Sequence, residues 1–156
     1  MVVKKTSAGI LLFRRRGDAI EVLLVHPGGP FWARKDAGAW SIPKGEHDEG
    51  EDPELAARRE FAEELGCDVE GELIPLGDVR QKNGKRVVAW AAEGDFDCSL
   101  LRSNTFRMEW PPKSGRQAEF PEVDRAEWFT ADDARGKMHT GQAELIDRLL
   151  ARVAPG

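Results

Sequence analysis

Residues 53–65 constrain the fold of this chain more than any other stretch. "PELAARREFAEEL" consists largely of strong helix formers, and stop signals bound it at both ends. Asp52 can cap the start, Pro53 suits the first helical position, and Gly66 is a natural end. At about 100° per residue, Leu55, Phe61, Ala62 and Leu65 fall on one side, as a core face requires. Glu60, Glu63 and Glu64 gather on another side, at i, i+3, i+4 spacing. In water, like charges so placed cost roughly 0.2–0.5 kcal/mol per pair. A hard divalent cation reverses that sign, because it takes carboxylate and phosphate oxygens together. For the helix alone, a solvated acidic face is the plainer reading.

The flanking residues shift that balance. Residues 45–67 hold nine acidic side chains in 23 positions. A Pro-Lys-Gly turn leads through "GEHDEGED" into the helix, and Gly45 and Gly50 let backbone carbonyls turn inward. Glu51 stands just before the helix and Arg59 beside the acidic cluster, so a Glu51–Arg59 pair would fasten loop to helix. An ordinary surface pair is the alternative.

Gly45, Glu51 and "REFAEELGC" together resemble the Nudix box, Gly-x5-Glu-x7-Arg-Glu-U-x-Glu-Glu-x-Gly-U, with U a bulky apolar residue. Gly45, Glu51, Arg59, Glu60, Phe61, Glu63, Glu64 and Gly66 match it, and Cys67 at the last U is a mild departure. The resemblance implies that Glu60 and Glu64 are the main Mg²⁺ ligands, with Mn²⁺ able to substitute. Glu63 would be a further ligand or the base that activates water. The Gly45 carbonyl would complete part of the shell, and Arg59 and Glu51 would hold the loop. The implied reaction is hydrolysis of a nucleoside diphosphate linked to another group.

Several features resemble the dinucleoside polyphosphate hydrolases within that family. "AWSIPKGE" carries a Trp and the Pro-Lys-Gly turn, which would put Lys44 on a phosphate. Glu122 stands six residues before Trp128, the spacing of a further catalytic carboxylate; a surface Glu before an edge strand is the competing reading. Glu93, Glu109 and Glu119 are the other candidates. The subgroup's base-stacking Tyr is missing, since the chain has no Tyr at all. Trp90 is a substitute, unless it only packs the sheet. Pro75 lies too close to the box for an ADP-ribose signature, and no coenzyme A signature is visible.

Around the box, "SAGILLF" (7–13) and "IEVLLVHP" (20–27) read as a hairpin, with "AWSIP" as a short strand. Residues 72–81 and 85–96 read as two strands joined through Asn83-Gly84. Residues 126–129 read as a last strand, 130–138 as a Thr-capped helix and 142–153 as a helix with an apolar stripe. This pattern predicts an α+β fold, a mixed sheet flanked by helices. It is similar to the family's αβα sandwich, as one domain over residues 1–156.

Residues 102–122 show no clear period and hold Arg102, Arg107, Lys113 and Arg116 with Phe106 and Trp110. They are expected to close over substrate as a lid, with Arg107 on phosphate, or to pack as an Ω-loop or dimer contact. Cys67 and Cys98 form no disulfide framework and read as small core or strand residues. His26, His47 and His139 are too scattered for a metal triad, although His47 sits in the box loop. Arg14–Arg16 read as a solvated hairpin tip.

The net charge of −5 argues against nonspecific nucleic-acid binding, so a small nucleotide is the expected partner. No apolar run approaches the ~20 residues of a membrane span, and no leader is apparent, so the expected location is the cytoplasm. The leading expectation is a diadenosine polyphosphate hydrolase releasing ATP and AMP. Its rivals are a nucleoside triphosphate or RNA 5′-end pyrophosphohydrolase and, in another class, a nucleotide-sensing module. Sequence leaves the oligomeric state open.

Overall fold

β1 (Thr6–Arg16) is apolar at nearly every position up to Phe13, and the fold buries both of its faces. A computed structural model describes residues 6–153; the ends of the 1–156 span, including part of the stretch weighed as a leader, lie outside the described residues. β1 turns at Gly17-Asp18 into β2 (Ala19–Pro27) and pairs with it antiparallel from Phe13 to Arg16. Its other edge pairs in parallel with β5 (Arg86–Glu93), which is itself the second arm of a hairpin with β4 (Ile74–Arg80). β8 (Val123–Thr130) closes the far edge against β2. The order is β4-β5-β1-β2-β8, a mixed sheet as predicted.

β1 and β2 separate beyond Phe13, and residues 41–47 fill the fork. Ser41 bridges Val25 of β2, while β3 (Lys44–His47) pairs antiparallel with Thr6–Gly9 of β1. The predicted short strand at "AWSIP" is therefore shifted. Trp40 and Ser41 make only isolated bridges, and the regular strand lies in what reads as an irregular loop. Pro43 cannot donate to a ladder; its carbonyl accepts from Ile10 N at 3.1 Å. Gly9 lines this fork so tightly that a Cβ would stand 2.7 Å from Lys44 Cβ and from the Pro43 carbonyl oxygen. Gly9→Ala is expected to destabilise the protein by about 1–3 kcal/mol, as overpacking does. The check is a thermal melt, and an unchanged Tm would show that the fork can widen freely.

Helices cover both faces. α1 (Pro53–Leu65) lies on Ala8, Ile10, Leu12, Leu23 and Val25, with Phe61 and Leu65 buried beneath it. α2 (Ala131–Lys137) and α3 (Glu144–Arg152) cover Leu11, Phe13, Val22 and Leu24 on the opposite face. Caps hold as expected: Asp52 Oδ1 accepts from Glu54 N, Gly66 ends α1 at φ 85°, and Thr130 caps α2. The inward face of α1 is corrected. Ala56, Ala57, Phe61 and Leu65 are buried, whereas Leu55 is 61% exposed and Ala62 only half-buried. Two alanines let the helix approach the sheet closely, which turns Leu55 outward.

Residues 102–122 are neither lid nor Ω-loop in form. β6 (Thr105–Glu109) and β7 (Gln117–Pro121) pair as a separate two-stranded hairpin. Phe106, Met108, Ala118 and Phe120 form its half-buried face. The cysteine reading is also corrected: Cys67 is exposed just past α1, and Cys98 is partly buried in a short 3₁₀ turn. Both are free thiols. No helix among the described residues is long and apolar enough to cross a membrane.

Candidate active site

Helix α1 brings its carboxylates to the sheet because they share its packed side. Glu60 lies one turn after buried Ala56, and Glu64 lies beside Phe61 and Leu65. Glu60 is only 8% exposed. Its carboxyl stands against Gly45, where a Cβ would lie 2.0 Å from the carboxyl carbon. The alternation of β3 puts Gly45 on the α1 face, opposite Ala8. Glu64 Oε1 accepts from Lys44 N at 3.3 Å.

The crowding of carboxylates shows in the proton affinity of Glu60, Glu64 and Glu122. Burial pushes Glu64 up to about 8, with Glu60 and Glu122 adding to the rise and Lys44 opposing it. Burial also raises Glu60, reinforced by Glu63 and Glu122. Glu122 is exposed by area, yet it loses enough water on one side to be raised, and the Glu63 charge adds to this. Glu122 therefore joins the helix cluster electrostatically. Glu93 pairs with Arg15, Glu109 accepts from Lys113 N, and Glu119 faces Arg107 across the hairpin.

Backbone bonds hold Glu122 in place. Asn104 N donates to the Glu63 carbonyl at 2.8 Å, and Glu122 N donates to the Asn104 carbonyl at 2.8 Å. Gly28 N donates to the Glu122 carbonyl at 2.9 Å, and a Cβ at Gly28 would stand 2.0 Å from the Pro121 oxygen. The peptide of Asn104 thus joins the last turn of α1, whose carbonyls need donors, to the strand that carries Glu122. Sequence reading missed Asn104 and Gly28. The Gly28-Gly29 pair was the available signal.

Arg59 is the hub of the box loop. Its Nε and Nη2 donate to Glu51 at 3.2 Å each, the fastening expected from sequence, and its Nη1 donates to Glu60 at 2.9 Å and Glu63 at 3.3 Å. The Arg59 bonds hold the Glu51 carboxyl below its usual range. Burial lowers the Lys44 ammonium, opposed chiefly by the nearby Glu64 charge. His47 Nδ1 donates to the Asp48 carbonyl, and its Nε2 is enclosed without a protein partner.

The carboxylate cluster fits a divalent metal in donor chemistry: oxygen ligands, excess negative charge and a bare glycine backbone. Among the described residues no three His, Cys, Asp or Glu side chains already converge as a ligand set, and Arg59 bridges Glu60 and Glu63. Two sequence candidates stand apart. Trp90 packs half-buried in the core beneath α1. Arg107 lies on the outer face of the β6–β7 hairpin, and no hydrogen bond or ion pair among the described residues ties it to the cluster.

A mixed sheet between helices, with a glycine-led strand, loop and acidic helix laid across its forked centre, defines one class of α+β domain. The NUDIX domain profile matches residues 3–149, and the chain belongs to that family. An RNA pyrophosphohydrolase of Caulobacter vibrioides is 50% identical over 52 residues, a match spanning 30% of each chain. The chain thus aligns with under a third of the length of that relative. Another RNA pyrophosphohydrolase, from Aeromonas hydrophila, is 24% identical over 97% of this chain and 84% of its own. In fold, the chain resembles the Ap4A hydrolase of C. elegans, with a TM-score of 0.67 at 22% identity, covering 95% of this chain and 98% of that one.

Proposed function

We propose that this chain is a single-domain, divalent-metal-dependent hydrolase of a phosphoanhydride bond in a nucleotide, with diadenosine polyphosphates as the leading substrates. The observation that carries this reading is the gathering of Glu60, Glu64 and Glu122 beside the Glu63 charge, with Glu60 set against the bare backbone of Gly45. Glu60, Glu64 and the Gly45 carbonyl would hold Mg²⁺, or Mn²⁺ in its place, with Glu63 as a further ligand or the base. A bound divalent ion lowers the pKa of water and neutralises charge on phosphate oxygens. Glu63 or Glu122 takes the proton of the attacking water, and the oxygen of that water bonds to phosphorus as the phosphate chain leaves. Lys44 offers a point charge to the phosphates. A cation at Glu60 and Glu63 would require Arg59 Nη1 to give up its bonds to them, while its bonds to Glu51 keep it fastened to the loop.

A second reading is supported by the pyrophosphohydrolase relatives: the substrate is the triphosphorylated 5′ end of RNA. The net charge of −5 weighs against it. A turnover panel with Mg²⁺ separates the two. Diadenosine tetraphosphate should yield ATP and AMP. A preference for triphosphorylated RNA would overturn the leading substrate but not the hydrolase, whereas binding without turnover of any nucleotide would favour a sensor.

Glu122→Gln and Glu63→Gln sort base from ligand. Removal of the base is expected to lower kcat by about 10²–10⁴-fold with Mn²⁺ affinity retained, as loss of a general base does. Removal of a ligand weakens Mn²⁺ binding in calorimetry. Retained kcat in both variants would remove these two carboxylates from the chemistry.

A further inference from the structure

We propose that Phe31 and Trp32 form an aromatic shelf that stacks a nucleobase of the substrate, a subsite that rests on the nucleotide reading above. The chain has seven Phe, five Trp and no Tyr. Of these twelve rings only Phe31 and Trp32 are exposed, at 61% and 39%. Trp90, the ring that sequence offers for stacking, packs into the core beneath α1.

The shelf is exposed but not loose. Trp32 N donates to the Gly29 carbonyl at 3.4 Å and Lys35 N to the Trp32 carbonyl at 2.9 Å. His26, fully buried, donates from Nε2 to the Lys35 carbonyl at 2.6 Å, and its Nδ1 lies 2.8 Å from Asp124. Gly29, at φ 97°, lies against Phe106, and the Phe31 ring meets Trp110 edge-on with centroids 5.7 Å apart. Beyond the Trp110 edge contact and the Lys35 contact, these two rings keep more surface in water than any other ring of the chain. A rigid loop that presents them at one spot is what binding requires.

Position and charge select the occupant. The loop begins at Gly28, whose N–H is bonded to the Glu122 carbonyl. The Gly29–Trp32 turn keeps the Trp32 backbone on the order of 10 Å from that bond. A nucleotide with its phosphates at the carboxylate cluster can therefore reach the rings with its base. Lys35 Nζ sits 5.0 Å from the Trp32 ring centroid, and Arg34 beside it is exposed. With the Lys35 ammonium over the Trp32 ring and exposed Arg34 next in the chain, the loop carries cations that match the phosphate chain joined to a base, whereas an apolar protein surface needs none.

The test compares ligands with and without a base. Calorimetry would measure binding of the non-hydrolysable methylene analogue of diadenosine tetraphosphate, and of inorganic tripolyphosphate, to wild type, to the Phe31→Ala/Trp32→Ala double variant and to Trp32→Phe. The double variant is expected to bind the dinucleotide about tenfold or more weakly. Its tripolyphosphate affinity and its Tm should stay unchanged, and Trp32→Phe should retain most of the dinucleotide affinity. A short triphosphorylated RNA measured alongside shows which source the base comes from, since either must lose affinity if the shelf holds it. Undiminished dinucleotide and RNA affinity in the double variant, with turnover intact, would overturn the shelf and leave the hydrolase standing. If wild type binds tripolyphosphate as tightly as either base-bearing ligand and hydrolyses neither, both readings fail.

Discussion

Glu64→Gln is expected to stabilise the metal-free protein while removing its activity. The Glu64 carboxyl titrates at an ordinary 4.5 in the unfolded chain and at about 8 in the fold. Between those values the folded state binds the extra proton, so stability is greatest below about 4.5 and falls as pH rises toward about 8. Gln keeps the shape and removes the buried charge. The variant should therefore lose this slope and melt higher than wild type at pH 8, with each kcal/mol gained worth about 2–4 °C for a chain of this size. If Glu64 is a metal ligand as proposed, added Mn²⁺ should raise the Tm of wild type by mass action but leave the variant nearly unchanged. Turnover should fall by on the order of 10²–10³-fold, as when a group stabilising transition-state charge is lost. Melts from pH 5 to 9, with and without Mn²⁺, decide the matter. Parallel pH curves for the two proteins would mean that Glu64 carries no buried charge.

Gly45→Ala should separate folding from function more cleanly. The added Cβ would stand 2.0 Å from the Glu60 carboxyl carbon and Oε2. Those atoms end a flexible side chain, so the carboxylate can swing away and the strand stay paired with Ala8. Stability is expected to change little. If Glu60 ligates the metal as proposed, moving its carboxylate by an ångström or more is expected to lower kcat/KM on the order of 10²-fold. Calorimetry with Mn²⁺ should show a matching loss of affinity. A fully active Gly45→Ala protein would show that Glu60 need not lie against this backbone.

Most of the candidate site was legible in the chain because it is local. Glu51, Arg59, Glu60, Glu63, Glu64 and Gly66 lie within α1 or a residue or two beyond its ends, where spacing sets which side chains meet. The Arg59–Glu51 bonds and the Asp52 and Gly66 caps followed from that spacing. Strand existence was legible for the same reason: β1, β2, β4 and β5 are apolar or alternating runs bounded by turn residues.

What sequence alone determined was thus the mixed sheet, its flanking helices and the carboxylate face of α1. Tertiary structure decided the rest, because those features depend on which surfaces meet across long separations in the chain. Sequence favours Glu122 over Glu93, Glu109 and Glu119 by its spacing to Trp128, but how it comes near α1 rests on the Asn104 and Gly28 bonds. The fork between β1 and β2 turned an apparent loop into β3 and pressed Gly45 onto Glu60. Close packing through Ala56 and Ala57 chose which face of α1 is buried, against the pattern that had placed Leu55 inside. Periodicity in the five-residue strands β6 and β7 was too short to stand out until Phe106 and Phe120 faced each other. Exposure of Phe31 and Trp32 is likewise a property of the packed molecule, since a ring reads the same in sequence whether the fold covers it or leaves it in water.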